Sequence, residues 1–106
     1  MKRFTVEWSR PASIDLLNII EYISQDNIDA AMQVFEKIKS KCKALNQFPE
    51  RGRIPPELKA YGIFNYRELV IPPWRVIYRI SEQKVFILAV LDSRRDIKDV
   101  LIERLV

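Results

Sequence analysis

Hydrophobic and polar positions change their period along the chain, and each change marks an element. From Arg3 to Trp8 they alternate: Phe4, Val6 and Trp8 face one way, Arg3, Thr5 and Glu7 the other. That is the period of a half-buried strand. Ser9 and Pro11 then signal a helix start, the hydroxyl as a cap and the proline as a first-turn residue that needs no N–H partner. Ile14, Leu17, Ile20 and Ile23 follow at helical spacing, and Leu16 and Ile19 widen the apolar stripe. Asp26-Asn27 breaks this helix and caps a second one, whose first turn carries Asp29, where the helix dipole favours negative charge. Ala31, Val34, Phe35, Ile38, Cys42 and Leu45 continue the helical spacing to about Phe48. Two antiparallel helices joined by a tight turn, an αα-hairpin, are expected.

The period then fails. Pro49 to Tyr61 holds Pro49, Gly52, Pro55 and Pro56, which forbid a long regular element. A connection of this length is either packed or functional. Strand-like runs follow from about Asn65 to Ile71, from Trp74 to Ser81 and from Lys84 to Leu91, with turns at Pro72-Pro73 and Ser81-Glu82-Gln83. Such short links imply antiparallel neighbours. The last run, VFILAVL, is apolar on both faces and belongs inside the sheet. Ile97, Val100, Leu101 and Leu105 give Arg94 to Val106 the spacing of a short final helix. The expected fold is α+β, in the order β-α-α-β-β-β: a small antiparallel sheet, the αα-hairpin packed on one face, a more open opposite face and a C-terminal helix.

Composition narrows the chemistry. The 106 residues suit one domain, 1–106, and 48% apolar residues suffice for a core. No apolar run approaches the roughly 18–20 residues of a membrane span, and the start, MKRFTVEWSRP, lacks a signal-peptide pattern. A cytoplasmic protein without a membrane partner is expected. Histidine is absent, which excludes a Ser-His-Asp triad, a Cys-His pair and a His-ligated metal. The lone Cys42 permits neither an intrachain disulfide nor a multi-Cys zinc site. It lies on the helical spacing with Ile38 and Leu45, so a buried structural thiol is expected. Two glycines leave no Gly-rich phosphate loop, and no cofactor or metal is expected.

The net charge of +4 is concentrated. Residues 49–80 carry six Lys/Arg against three Asp/Glu, whereas residues 1–48 carry seven against six and residues 81–106 five against five. The excess lies where the three strands begin, a pattern suited to an anionic partner. In the second strand Trp74, Val76, Tyr78 and Ile80 share a face, and Arg75, Ile77, Arg79 and Ser81 the other. With the apolar set packed on the helices, Arg75 and Arg79 project from the open face. Arg67 joins them if the register allows, and Arg94 and Arg95 leave the end of the third strand near its edge. A guanidinium grips phosphate or carboxylate through two hydrogen bonds, which makes these five the candidate partner- or nucleic-acid-binding residues. The competing assignment pairs Arg67 or Arg79 with Glu68 or Glu82, and Arg95 with Asp96 or Asp99, as ordinary ion pairs.

Several short motifs, taken in order, resemble a known family. Arg53-Ile54-Pro55-Pro56-Glu57-Leu58 is similar to a "G-R-x-x-P-E-L" segment. It is followed by Tyr66-Arg67-Glu68-Leu69, by Trp74-Arg75-Val76-Ile77-Tyr78-Arg79, and by Val85 to Leu91 with Arg94-Arg95-Asp96-Ile97. Together with the N-terminal strand and hairpin, these resemble the RelE/ParE toxins of bacterial type II toxin–antitoxin systems over nearly the whole chain. The YREL and RRD segments look more like the ParE branch.

The resemblance implies one of two activities: RelE-like cleavage of mRNA in the ribosomal A site, or ParE-like poisoning of DNA gyrase. Either implies neutralisation by an acidic antitoxin from the same operon. If the ribonuclease applies, the resemblance places Arg67, Arg75 and Arg95 at basic catalytic positions. A further lysine of that set falls on Leu69 and the C-terminal tyrosine on Leu101, so the group that would activate the 2′-hydroxyl is missing. Tyr78 does not replace it, because its parity places it against the helices. The expectation is therefore a gyrase-binding toxin. A ribosome-dependent mRNA endoribonuclease is the first alternative, and a non-toxic antitoxin-binding regulator the second.

Overall fold

The computed structural model describes residues 3–104. Along the chain lie β1 (Thr5–Trp8), α1 (Arg10–Ser24), α2 (Ile28–Lys43), a 3-10 turn (Ala44–Asn46), α3 (Pro56–Lys59), β2 (Arg67–Ile71), β3 (Trp74–Ser81), β4 (Lys84–Asp92) and α4 (Ile97–Arg104). The expected caps form. Ser9 Oγ accepts from the Ala12 N–H at 3.2 Å, with Pro11 in the first turn of α1, and Asn27 Oδ1 accepts from the Ala30 N–H at 3.0 Å. Each such cap contributes about 1 kcal/mol. Leu105 of the expected final helix lies outside the described residues.

The strands run in the order β1-β4-β3-β2, which places the doubly apolar β4 inside the sheet as its sequence requires. β2–β3 and β3–β4 are antiparallel, but β1 runs parallel to β4, with Thr5 opposite Lys84 and Trp8 opposite Ile87. The sheet is therefore mixed, not wholly antiparallel. Parallel neighbours need a long crossover, and the helices with β2 and β3 supply it. β1 stops at Trp8, which leaves the outer edge of β4 beyond Ile87 without a strand partner. Side chains fill that gap. Asp15 accepts from the Val90 N–H at 2.9 Å, while Arg104 donates to the Leu88 carbonyl at 3.0 Å and to both Asp15 oxygens at 2.6 and 2.9 Å. The same contacts tie α4 to α1.

The α1–α2 hairpin covers one face of the sheet. Ala12, Leu16, Ile38, Cys42 and Leu45 meet Leu69, Ile71, Val76, Tyr78, Val85, Ile87 and Val90 there. Full burial of each large aliphatic contributes roughly 1.5–3 kcal/mol. Cys42 is completely enclosed, and burial pushes its thiol up to about 12. The opposite face is not open, which corrects the expectation. There α3 and α4 close a second core of Leu58, Tyr66, Ile77, Ala89, Leu91, Ile97, Val100 and Leu101. The sheet has apolar residues on both faces because β3 and β4 each serve two layers. Among the described residues no helix is long and apolar enough to cross a membrane.

Candidate functional site

β3 alternates as its pattern demands. Trp74, Val76, Tyr78 and Ile80 pack on the hairpin side, and Ile77 belongs to the second core. Arg75 faces that second layer, so it does not project into solvent as the open-face expectation held. Its residue exposure is 6%. A guanidinium buried alone would cost several kcal/mol, so burial demands carboxylate partners. Two are present. Glu57 of α3 accepts from both terminal nitrogens at 2.6 and 2.9 Å, and Glu68 of β2 accepts from Nε at 2.5 Å. Glu68 is also buried, and its second oxygen accepts from Arg53 Nε at 2.8 Å. Two arginines and two glutamates thus form a continuous chain, Arg53–Glu68–Arg75–Glu57, across the loop, β2, β3 and α3. The hydrogen bonds from Arg75 hold Glu57 below its ordinary 4.5, and Arg75 is held more firmly protonated than a free arginine, first by Glu57. Among the described residues no buried side-chain polar atom lacks a hydrogen-bond partner.

The segment before α3 is strapped to the other side of the sheet. Tyr78 Oη donates to the Pro49 carbonyl at 2.7 Å and accepts from the Gly52 N–H at 2.9 Å. Burial raises the Tyr78 pKa, so its phenol stays neutral. Arg67 stands opposite Tyr78 in the β2–β3 register, on the hairpin side with Leu69 and Ile71. It therefore does not join Arg75. Its guanidinium donates to the Gly52 carbonyl at 2.7 Å and to the Glu50 carbonyl at 3.4 Å.

The remaining expected arginines are scattered. Arg79 is exposed near the far end of β3, with its guanidinium 5.2 Å from the centre of the Phe86 ring. Arg94 folds back on Asp92 at 3.0 and 3.1 Å. Arg95 is exposed and borders a cleft of about 470 Å3 between α1 and the Pro73–Trp74 end of β3, beside Tyr22 and Asp92. The five arginines do not form one basic face. Alternation sorts a strand's side chains but does not say what roofs each face, and the two carboxylates that hold Arg75 there, Glu57 and Glu68, come from the short α3 and the edge strand β2. Glu68 was a candidate ion-pair partner, though for Arg67 or Arg79 and not for Arg75. Glu57 was visible only as part of the P-E-L motif. Leu69 and Leu101 are buried in opposite cores, so both serve packing. Among the described residues no group of three or more His, Cys, Asp or Glu is placed to hold a metal ion.

A helical hairpin on a mixed four-strand sheet, closed by a C-terminal helix, is the architecture of the RelE/ParE toxins. A solved structure described as "Chromosomal ParDE TA system from P. aeruginosa" superposes with a TM-score of 0.71 over 87% of this chain and 98% of that one, at 21% identity. The family described as "ParE toxin of type II toxin-antitoxin system, parDE" matches residues 6–97. Toxin ParE3 of Caulobacter vibrioides is 30% identical over 90 residues, 84% of this chain and 86% of its own. Toxin RelE2 of the same organism is 31% identical over 91 residues, 85% and 96%. "Putative toxin Y4kP" of Sinorhizobium fredii is 35% identical over 103 residues, 95% and 100%. The chain belongs to the ParE toxin family of type II toxin–antitoxin systems.

Proposed function

We propose that this ParE-family toxin acts by binding and inhibiting DNA gyrase, and that a cognate antitoxin encoded in the same operon neutralises it. The observation that carries the reading is the state of Arg75. A phosphate-gripping catalytic arginine needs a free guanidinium in the reacting pocket. Here two carboxylates occupy all three of its donor nitrogens, and the residue is buried. The positions where the resemblance would put a further lysine and a tyrosine are core leucines, Leu69 and Leu101. With no histidine in the chain and the Tyr78 phenol held neutral by burial, the described residues support docking better than proton transfer. The pairing with a cognate antitoxin is supported by family membership and by the ParDE system that shares the fold.

The test is a supercoiling assay with purified gyrase, relaxed plasmid and ATP. Micromolar toxin is expected to block supercoiling, and added antitoxin to restore it. Full supercoiling at micromolar toxin, with mRNA cut on translating ribosomes, would assign the chain to the ribonuclease activity instead.

A further inference from the structure

The four lysines of α2 take no part in either core or in the arginine–glutamate chain. Lys37, Lys39, Lys41 and Lys43 are all exposed, and among the described residues none has a carboxylate within 4 Å. The helix dipole accounts for cations in the last turn, which are Lys41 and Lys43, but not for Lys37 and Lys39. The acidic residue in this half of the helix, Glu36, precedes all four.

Their spacing divides them into two rows. Successive residues of an α-helix turn by about 100°, so Lys37 and Lys41 share one flank and Lys39 and Lys43 another, with the rows about 160° apart. A third side, with Ile38 and Cys42, faces the core. The grooves beside the helix show the same division. Lys41 borders one of about 450 Å3 beside Val70 and Ile71 of β2, whereas Lys39 and Lys43 border another of about 450 Å3 beside Val6 and Trp8 of β1. The Lys39 ammonium rests 4.8 Å from the centre of the Trp8 ring and 6.0 Å from that of Phe35, which fixes its place without neutralising it. Between the rows lies Ser40, whose hydroxyl donates to the Lys37 carbonyl at 3.2 Å.

We propose that the C-terminal half of α2 seats in the major groove of duplex DNA, with Lys37 and Lys41 on the phosphates of one rim and Lys39 and Lys43 on those of the other. A helix about 10–12 Å across fits a groove about 12 Å wide. The two rows select the occupant. An extended acidic peptide lays its carboxylates along one line and leaves one row idle, whereas a duplex presents phosphates on both sides of the helix. Residue type sets the mode of binding. Lysine grips phosphate as a point charge without arginine's planar fork, and the Ser40 hydroxyl is already bonded to the backbone. Contacts of this kind position a protein on DNA without reading its bases, so the binding is independent of sequence. The inference goes beyond gyrase inhibition and stands without it, since the contact is to DNA alone.

The experiment titrates the full chain, free of antitoxin, into a fluorescein-labelled duplex of mixed sequence, with fluorescence anisotropy read at salt from about 50 to 200 mM. Four lysines on four phosphates give a slope of log affinity against log salt of about −3.6, about 0.9 for each phosphate. K37Q/K41Q and K39Q/K43Q are each expected to weaken binding at least tenfold at the low salt and to make the slope shallower by about 1.8. K59Q/K98Q removes the same charge from α3 and α4, on the opposite face of the sheet, and should stay within twofold of wild type. Dimethyl sulfate should find guanine N7, which opens on the major groove, protected in the complex. Circular dichroism checks that each variant folds. The proposal is overturned by no binding of the wild type at the low salt, by either lysine pair being without effect, by an equal loss in K59Q/K98Q, or by unprotected N7. Loss of antitoxin binding in the lysine pairs, with no DNA bound by the wild type, gives the rows to the acidic partner and also overturns it. A wild-type chain that blocks supercoiling but binds no DNA overturns this inference and leaves gyrase inhibition standing; DNA binding with supercoiling intact does the reverse.

Discussion

Two glycines in one chain constrain the fold for different reasons, and substituting each with alanine separates those reasons. At Gly52 a Cβ would lie 2.6 Å from the Glu68 carbonyl oxygen, 2.6 Å from Tyr78 Oη and 2.8 Å from Tyr78 Cε1. Favourable non-bonded contacts lie near 3.5–4.0 Å, so the overlap is about 1 Å on both sides. Neither neighbour yields readily. The Glu68 carbonyl is held by the Arg53 N–H, and Tyr78 is fully buried with its hydroxyl bonded twice. Overpacking of this kind costs about 1–3 kcal/mol, and losing the two Tyr78 hydrogen bonds adds about 1 kcal/mol each. Gly52→Ala should therefore destabilise by roughly 3–5 kcal/mol, a large share of the 5–15 typical of a domain. The melting temperature should fall by roughly 15–30 °C. At Gly62 the backbone φ is 73° but nothing lies within 4 Å of the added carbon, so Gly62→Ala should cost only the left-handed conformation, roughly 1–2 kcal/mol. Urea titration followed by circular dichroism measures both. The double variant G52A/Y78F should cost less than the sum of its parts, because removing Oη relieves one of the clashes. A Gly52→Ala protein within 1 kcal/mol of wild type, or an additive double variant, would refute the packing argument.

Glu57→Gln tests the arginine network through pH. The folded pKa of Glu57 is depressed by Arg75, so its contribution is present above the ordinary carboxylate value and fades as pH falls through the lower folded value. The variant should lose about 1–3 kcal/mol at pH 7, and the loss should shrink steadily as pH falls below the ordinary carboxylate value, measured by urea midpoints across the acid range; a loss that does not change with pH would remove the ionic explanation. Cys42, enclosed and with its thiol raised to about 12, should resist iodoacetamide at pH 8 in the folded protein and react only as the chain unfolds. Rapid labelling under native conditions would show that the hairpin core opens.

Most of the fold was legible because its signals are local. Ser9 and Asn27 declare their helices by cap chemistry that operates within four residues. Trp74 to Ser81 is bounded by Pro72-Pro73 and a tight turn, and the observed strand has those limits. The apolar run of β4 announced a central strand before any pairing was known. What local pattern does not contain is the direction of β1. Alternation at Phe4, Val6 and Trp8 is the same in parallel and antiparallel strands, and only the path of the intervening chain decides. The second core was missed for a related reason. Alternation puts Ile77 on the more open side of the sheet with Arg75 and Arg79, but the residues that cover it there, Leu58, Ile97, Val100 and Leu101, come from the short α3 and from α4.

That missing layer is also why the arginines were misplaced, and the consequence reaches beyond position 75. Parity set Arg75 and Arg79 on one side of β3, and that much holds. Once α3 and α4 roof part of that side, burial and not parity decides what a guanidinium does. Arg75 becomes a structural ion-pair partner, whereas Arg79, beyond the roof, stays in solvent. Counting six Lys/Arg against three Asp/Glu between residues 49 and 80 located the charge excess correctly but not its use, because two of the three carboxylates are bound within the Arg53–Glu68–Arg75–Glu57 chain. That chain is internally neutral, so the surplus falls to residues outside it: Arg51, Lys59, Arg67 and Arg79 from this segment. Arg51 and Lys41 border a groove beside β2, and Arg67 stands on that strand. Long-range attraction of an acidic partner should therefore depend on Lys41 and Arg51 far more than on Arg75. Charge reversal at these two residues should slow association at low salt, while Arg75→Met should act mainly on stability.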